Sequence, residues 1–305
     1  MGKPVMRQGN NMDNSSIRLD GKKILITGVS RPLGIGATLA KRFAEAGAIV
    51  AVHGYSDYDV EVGHKSAMRG GTEILAKQLC DQGLSVTALT PGDLIIPGIA
   101  EKAVEEAAAK LGGLDGLVLN HAYSTYGEIG SWTPEHIDPH LLVNVRASMM
   151  MIQSFVSHVD AEKGDAVAGA AARDNIVAGS FARGSAAEGN TTNDRAITLF
   201  TSGQYQSTMV SEIAYCVSKD AIIGLCHQAS RLLGPKNIRV NCINPGPNDT
   251  GYCFGEAYEA VAKSFPSGRW GTPDDTADLL LFLHSSYAKW ITGQVIASDG
   301  GVIES

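Results

Sequence analysis

Two residues invite a chemical reading first. Tyr215 and Lys219 stand four apart in Tyr215-Cys216-Val217-Ser218-Lys219. On a helix that spacing puts both side chains on one face, so a phenol and an ammonium can share a pocket. A free phenol titrates near pH ~10, too high for ready proton exchange at neutrality. A neighbouring ammonium favours the phenolate and lowers that value. The pair therefore suits proton transfer to an oxygen, as a carbonyl requires when it receives hydride. Tyr and Lys at this spacing also occur on ordinary helix surfaces, so the pair alone decides nothing.

A second group suits a different task. Thr27-Gly28-Val29-Ser30-Arg31-Pro32-Leu33-Gly34-Ile35-Gly36 lies between an apolar run and a helical pattern. Glycines there permit a tight turn and close approach of main chain to a pyrophosphate. The helix that follows offers free N–H groups and the positive end of its dipole. Gly28, Ser30, Arg31, Gly34, Ile35 and Gly36 are the candidate contacts. The plain alternative is a ligand-free glycine turn, but the strand–loop–helix order favours the binding reading. His136 and His140 also have a metal-like spacing. Pro139 intervenes and no third ligand is evident, so we expect no metal and a capping or surface role for both histidines.

The elements that must position these residues follow an alternating rhythm. Apolar runs at 23–27, 48–52, 85–89, 114–119, 196–201, 238–243 and 294–297 read as strands. Helical spacing appears at 36–46, 72–82, 98–111, 135–158, 212–233 and 274–284. Alternation of this kind implies an α/β fold, a doubly wound, mainly parallel sheet of Rossmann type. Its ligand crevice lies at the carboxyl ends of the strands. Residues 20–305 are expected to form a single domain, and residues 1–19 a disordered polar tail. Two stretches break the rhythm. Residues 55–71 read as a long polar loop. Residues 160–194 are rich in Ala, Gly, Asp and Asn and read as an insert, with 175–183 able to extend the preceding helix.

Composition excludes several classes. The chain has 305 residues and a net charge of −7, which argues against a nucleic-acid or anionic-membrane binder. Its five cysteines form no Cys-x-x-Cys pair, so we expect reduced thiols in the cytoplasm. No apolar run approaches the ~20 residues of a membrane helix, and the start has no secretory signature. Met6 breaks the myristoylation pattern that Met1-Gly2 begins.

In this frame the motifs resemble those of the short-chain dehydrogenases/reductases, over roughly residues 20–303. Tyr215 and Lys219, Ser202 in Thr201-Ser202-Gly203-Gln204, and Asn144 in Val143-Asn144-Val145 resemble that family's catalytic tetrad in order and spacing. Asn120-His121-Ala122-Tyr123 resembles its Asn-Asn-Ala-Gly element, and Asp93-Leu94 its adenine-contacting element. Pro245-Gly246 with Thr250 resembles its nicotinamide-contacting loop. Ile291-Thr292-Gly293-Gln294 and Asp299-Gly300-Gly301 resemble its C-terminal signature. The resemblance implies that Tyr215 exchanges the proton and Ser202 holds the substrate oxygen. It gives Lys219 the nicotinamide ribose and the depression of the Tyr215 pKa, and Asn144 a water leading from Lys219 to solvent. Asn120 and Ala122 become cofactor contacts.

Some features depart from that pattern. The glycine loop is two residues longer than usual, and Tyr123 and His121 replace the usual glycine and second asparagine. After Val52 the chain reads His53-Gly54-Tyr55-Ser56, without the acid that marks NAD, while Arg31 suits the 2′-phosphate of NADP. NADP is therefore the preferred cofactor and NAD the alternative, with Asp57 and Asp59 as counter-indications. Residues 246–269 are expected to form a substrate lid. The helix at 141–159 is apolar around much of its circumference and so is buried on more than one side. The resemblance implies that it and the Tyr215 helix pair across an interface, in a homodimer or homotetramer. The leading expectation is reduction of a 3-oxoacyl or similar ketone. The alternatives are a sugar or polyol dehydrogenase and a nucleotide-sensing protein without turnover.

Overall fold

The computed structural model describes residues 17–162 and 194–301. The strands are β1 (Lys23–Thr27), β2 (Ile49–His53), β3 (Val86–Ala88), β4 (Gly116–Leu119), β5 (Arg195–Phe200), β6 (Ile238–Asn244) and β7 (Val295–Ala297). They form one parallel sheet in the order β3-β2-β1-β4-β5-β6-β7. The register pairs Leu25 of β1 with Ala51 of β2 on one side and Leu117 of β4 on the other. The chain winds one way from β1 to β3 and the other way from β4 to β7. The switch between β1 and β4 opens a crevice beyond their carboxyl ends.

The helices are α1 (Ile35–Glu45), α2 (Ser56–Glu61), α3 (Gly71–Asp81), α4 (Ile99–Leu111), α5 (Pro134–Pro139), α6 (Ala147–Glu162), α7 (Ile213–Leu233), α8 (Glu256–Ser264) and α9 (Pro273–His284). Two apolar cores flank the sheet. Val104 of α4, Met151 and Phe155 of α6, and Ile222 of α7 cover one face. Leu39 and Phe43 of α1, Leu75 of α3 and Leu280 of α9 cover the other. Burying each such side chain contributes about 1.5–3 kcal/mol. β4, β5 and β6 are buried along their whole length, as strands covered on both faces must be. The polar exceptions are paired: Arg239 of β6 holds both oxygens of Asp194, at 2.9 and 3.0 Å, and donates to Leu283 O. α9 starts cleanly because Pro273 follows the Thr272/Asp275 capping box.

Three expectations need revision. Leu19, assigned to the tail, is buried and donates its N–H to Ala46 O at 2.8 Å, so packing reaches back before residue 20. Residues 55–71 are not a plain loop, because Ser56–Glu61 is helical. The helix expected at 135–158 is three pieces: Pro139 ends α5, His140–Arg146 is a π-helical stretch, and α6 follows. Of the expected insert, 160–162 end α6 and Asp194 precedes β5; the remainder, including 175–183, lies outside the described residues.

Candidate active site

The glycine loop leaves β1 at Gly28, where φ is +71°. A Cβ on Gly28 would lie 2.7 Å from Asn120 Nδ2, and one on Gly36 would lie 2.3 Å from Gly28 O. Glycine at both positions lets the loop fold against the segment after β4. Asn120 Nδ2 clamps the loop by donating to Thr27 O and Gly28 O, at 3.2 and 3.1 Å. Within the lengthened loop, Gly34 N donates to Arg31 O at 3.1 Å, a turn that takes up the added length. α1 then starts with no side-chain cap and no acid in its first turn, leaving its N-terminal end available to an anion.

Gly28, Ser30, Arg31, Gly34, Ile35, Asp93, Leu94, Asn120, Ala122 and Thr250 come together along one cavity of about 790 Å³. Gly36 backs the loop without lining that cavity, and Pro245 lines no wall of it. This cleft has a glycine floor and the uncapped start of α1, groups that could hold the pyrophosphate of a nicotinamide dinucleotide. α2 and the turn after it form an unexpected wall. Tyr58 donates to Ser124 O at 3.4 Å, and its ring meets Tyr123 at 5.3 Å. Lys65 Nζ sits 3.7 Å from the centroid of the Phe254 ring. Arg31 donates to Thr250 O at 2.9 Å and lies 3.7 Å from Asp59. The shifted segment thus returns Asp59 to the cavity, whereas Asp57 pairs with Arg69 on the surface.

The candidate tetrad stands outside that lining: Ser202 borders a smaller cavity, and Tyr215, Lys219 and Asn144 line neither. Ser202 stands close enough to the Tyr215 phenol to favour its charged form. Lys219 Nζ donates to Phe200 O at 2.9 Å and lies 5.5 Å from the centroid of the Tyr215 ring. Asn144 sits in the π-helical stretch. Its side chain holds Tyr123 N and O, at 2.7 and 2.9 Å, and donates to Ser218 Oγ at 2.8 Å. Asn144 thereby joins the segment after β4 to α7, and its own carbonyl accepts from Ser148. The expected depression of the Tyr215 pKa is not found. Burial pushes the phenol up to about 12, against the lowering effect of Ser202. Burial also holds Lys219 down to about 8. The Lys219 ammonium, which donates to the main chain of β5, is not among the groups that lower the phenol.

Gly246 lies beside Ser202 on a smaller cavity of about 240 Å³, together with Gln206, Asn244, Tyr252 and Asp299. Its φ is +62°, and a Cβ there would lie 2.5 Å from Asp299 Cα. Tyr252 lines both cavities. The lid is organised around Trp270, which stacks on Tyr258 at 5.0 Å and meets Tyr252 edge-on at 5.7 Å. His136 and His140 act through Thr125: His140 Nε2 accepts from Thr125 N at 3.1 Å, and His140 Nδ1 donates to His136 O at 2.9 Å. This braces the strip that borders the cleft.

Glu212, Gln206 and Tyr58 carry no sequence signature. Glu212 could have been found by projecting three residues back from Tyr215 to the start of α7. His53 ends β2 where the family's acid would be. Its ring is buried with neither nitrogen hydrogen-bonded among the described residues, and burial lowers its pKa to about 4.

Comparison with known proteins agrees with this geometry. Residues 22–171 match the family described as short chain dehydrogenase, and residues 175–303 match the enoyl-(acyl carrier protein) reductase family. The chain is 31% identical to the uncharacterized oxidoreductase YjdA of Bacillus subtilis, over 92% of this chain and 97% of that one. It is 32% identical to galactitol 2-dehydrogenase of Agrobacterium fabrum, over 93% and 98% of the two chains. It is also 32% identical to the 3-oxoacyl-[acyl-carrier-protein] reductase of Chlamydia muridarum, over 93% and 98%. Among solved structures it resembles the angucycline C-6 ketoreductase LanV with bound NADP, at 25% identity and a TM-score of 0.71, over 94% and 99% of the chains. The chain belongs to the short-chain dehydrogenase/reductase family and is an NAD(P)-dependent oxidoreductase acting on CH–OH or C=O groups. No helix among the described residues is long and apolar enough to cross a membrane.

Proposed function

We propose that the chain interconverts a ketone and a secondary alcohol, with Tyr215, Ser202, Lys219 and Asn144 as its catalytic group and NADP as its preferred cofactor. The observation that carries this is the action of Ser202 on the Tyr215 phenol, with Lys219 buried 5.5 Å from that ring's centroid, in a chain that also builds a glycine-floored cleft. When bound, the nicotinamide supplies or takes up the hydride. Tyr215 then gives its proton to the substrate oxygen in reduction, or receives one in oxidation, while Ser202 fixes that oxygen. Arg31 at the cavity wall and the lack of an acid at the end of β2 support NADP; Asp59 beside Arg31 works against it.

For the substrate, the first reading is a 3-oxoacyl compound or similar ketone, as the name of the Chlamydia muridarum relative suggests. The second, a sugar or polyol, is favoured by the acidic and polar residues around Ser202 and Tyr215, namely Glu212, Asp299, Gln206 and Asn244. An acyl carrier would call for basic ones. We also propose a cytoplasmic homodimer or homotetramer. Free cysteines support the compartment, and exposed Leu141, Met149 and Val217 support an interface across the π-helical stretch, α6 and α7. Light scattering on the purified protein tests the assembly, and a monomer overturns it.

The test of the activity follows NADPH and NADH absorbance with ketoesters, ketoacyl thioesters and ketoses, and the reverse reaction with polyols. Turnover that Tyr215→Phe abolishes sustains the reading. Cofactor binding without turnover in either direction replaces it with nucleotide sensing.

A further inference from the structure

We propose that Glu212 reads a substrate hydroxyl beside the reacting carbon, and that the substrate is a polyhydroxylated ketose or polyol. This rests on the oxidoreductase reading above. Glu212 immediately precedes α7, three residues before Tyr215, and lines the large cavity with Ser124, Tyr126 and Tyr252. Its main chain is pinned: Gly127 pairs with it in a β-bridge, Glu212 N donates to Met209 O at 3.0 Å, and its carbonyl accepts from Cys216 N at 2.9 Å. Ser124 Oγ donates to Oε2 at 3.1 Å, the one hydrogen bond to this carboxylate among the described residues. A carboxylate offers about four acceptor sites, so most of its capacity remains for a ligand that brings O–H donors. The charge also reaches the reacting group, because Glu212 is among the causes that raise the Tyr215 and Tyr252 phenols.

A second cavity, which shares Tyr252 with the first, has the same chemistry. In the cavity beside Ser202, Asn244 Nδ2 donates to Gln206 Oε1 at 2.6 Å, and Gln206 Nε2 donates to Asp299 Oδ2 at 2.9 Å. That chain fixes a row of polar groups ending in a second carboxylate. The cations of the large cavity are engaged: Arg31 is held by Thr250 and Asp59, and Lys65 covers Phe254. Carboxylates flanking the reacting pair repel an anionic substrate tail and accept hydroxyl protons, and a charged acceptor makes the stronger hydrogen bond.

The experiment separates binding from turnover. Tyr215→Phe protein saturated with NADP is titrated calorimetrically with a hexitol, a ketohexose and cyclohexanone, alone and combined with Glu212→Ala or Glu212→Gln. The expected result is a loss of roughly 10- to 100-fold in hexitol or ketohexose affinity with Glu212→Ala. Glu212→Gln, which keeps an acceptor oxygen, restores part of it, and cyclohexanone changes less than about threefold on the same scale. Equal losses for all three ligands, or no loss for the hydroxylated ones, overturn the proposal. So does turnover of plain ketones or 3-oxoacyl thioesters by the wild type without hexitol or ketohexose binding, which leaves the oxidoreductase reading intact. Glu212-dependent hexitol binding with no hydride transfer to or from any substrate does the opposite.

Discussion

The two walls of the cleft are built on different principles. The cofactor wall, after β1, is main chain packed against main chain. Its shape depends on missing Cβ atoms at Gly28 and Gly36, and one asparagine clamps it. The substrate wall, after β4, β5 and β6, is made of side chains that hold one another across the sequence. Asn144 reaches Ser218 over 74 positions, Ser124 reaches Glu212 over 88, and Gln206 reaches Asp299 over 93. A wall defined by sterics tolerates change only where no side chain is added. A wall defined by networks can be retuned one residue at a time, and substrate choice is proposed to reside there.

The largest effect that bears on this contrast is expected from Tyr215→Phe. Steady-state rates should fall by about 10²- to 10⁴-fold while cofactor affinity, read by fluorescence titration, stays near wild type. A matching loss of affinity would mean that the two walls are not separable.

Next comes Lys219→Met. Lys219 is nearly fully buried, and its pKa is lowered from 10.5 to about 8. Between those values the unfolded chain binds the proton more readily than the folded one, so the wild type gains stability as pH rises through that window. The gain has an upper limit of about 3 kcal/mol. Below about pH 8 the cost of the buried charge is constant. Urea unfolding at pH 7.5 and 10 should show this rise in the wild type and its loss in Lys219→Met.

Gly36→Ala probes the other wall. The added Cβ must displace Gly28 O, so a destabilisation of about 1–3 kcal/mol is expected, together with weakened NADP binding. Thermal melts with and without cofactor check both. Unchanged affinity would contradict a sterically defined wall.

The smallest effect is expected at His53, whose ring nitrogens are buried without partners. His53→Leu should stabilise the protein by about 1 kcal/mol at pH 7. The advantage should widen as pH falls from about 6.5 toward 4, because there the unfolded histidine takes up a proton that the folded one refuses. Denaturant titrations at pH 7 and 5 measure it. An accompanying drop in NADP affinity would assign the ring to the cofactor wall.

The same contrast explains what the sequence made legible. The β1–Gly28–Gly36–α1 unit is contiguous, and strands buried on both faces leave apolar runs, so the sheet and cofactor wall could be read directly. Tyr215 and Lys219 were legible because one helix carries both. Glu212 and Gln206 were not, because their partners lie far along the chain. α2 was hidden in a polar stretch, since a six-residue helix has too little periodicity to register. The direction of the Tyr215 shift was misjudged because residue types reveal the neighbouring charge but not the depth of burial that raises the phenol.

The π-helical stretch at His140–Arg146 also sets a rule for chain length. Each residue of an α-helix advances the next by roughly 100°. The wider coil here retards that rotation, so Asn144 faces Ser218 while Met151 and Phe155 further on still enter the core. Because such a coil is an α-helix holding one residue more than its ladder needs, deleting one residue lets the stretch revert to ordinary α-helix and leaves the buried side of α6 facing the core. Such a deletion should therefore preserve folding yet cost the Asn144–Ser218 contact, whereas adding a residue has no such slack to draw on.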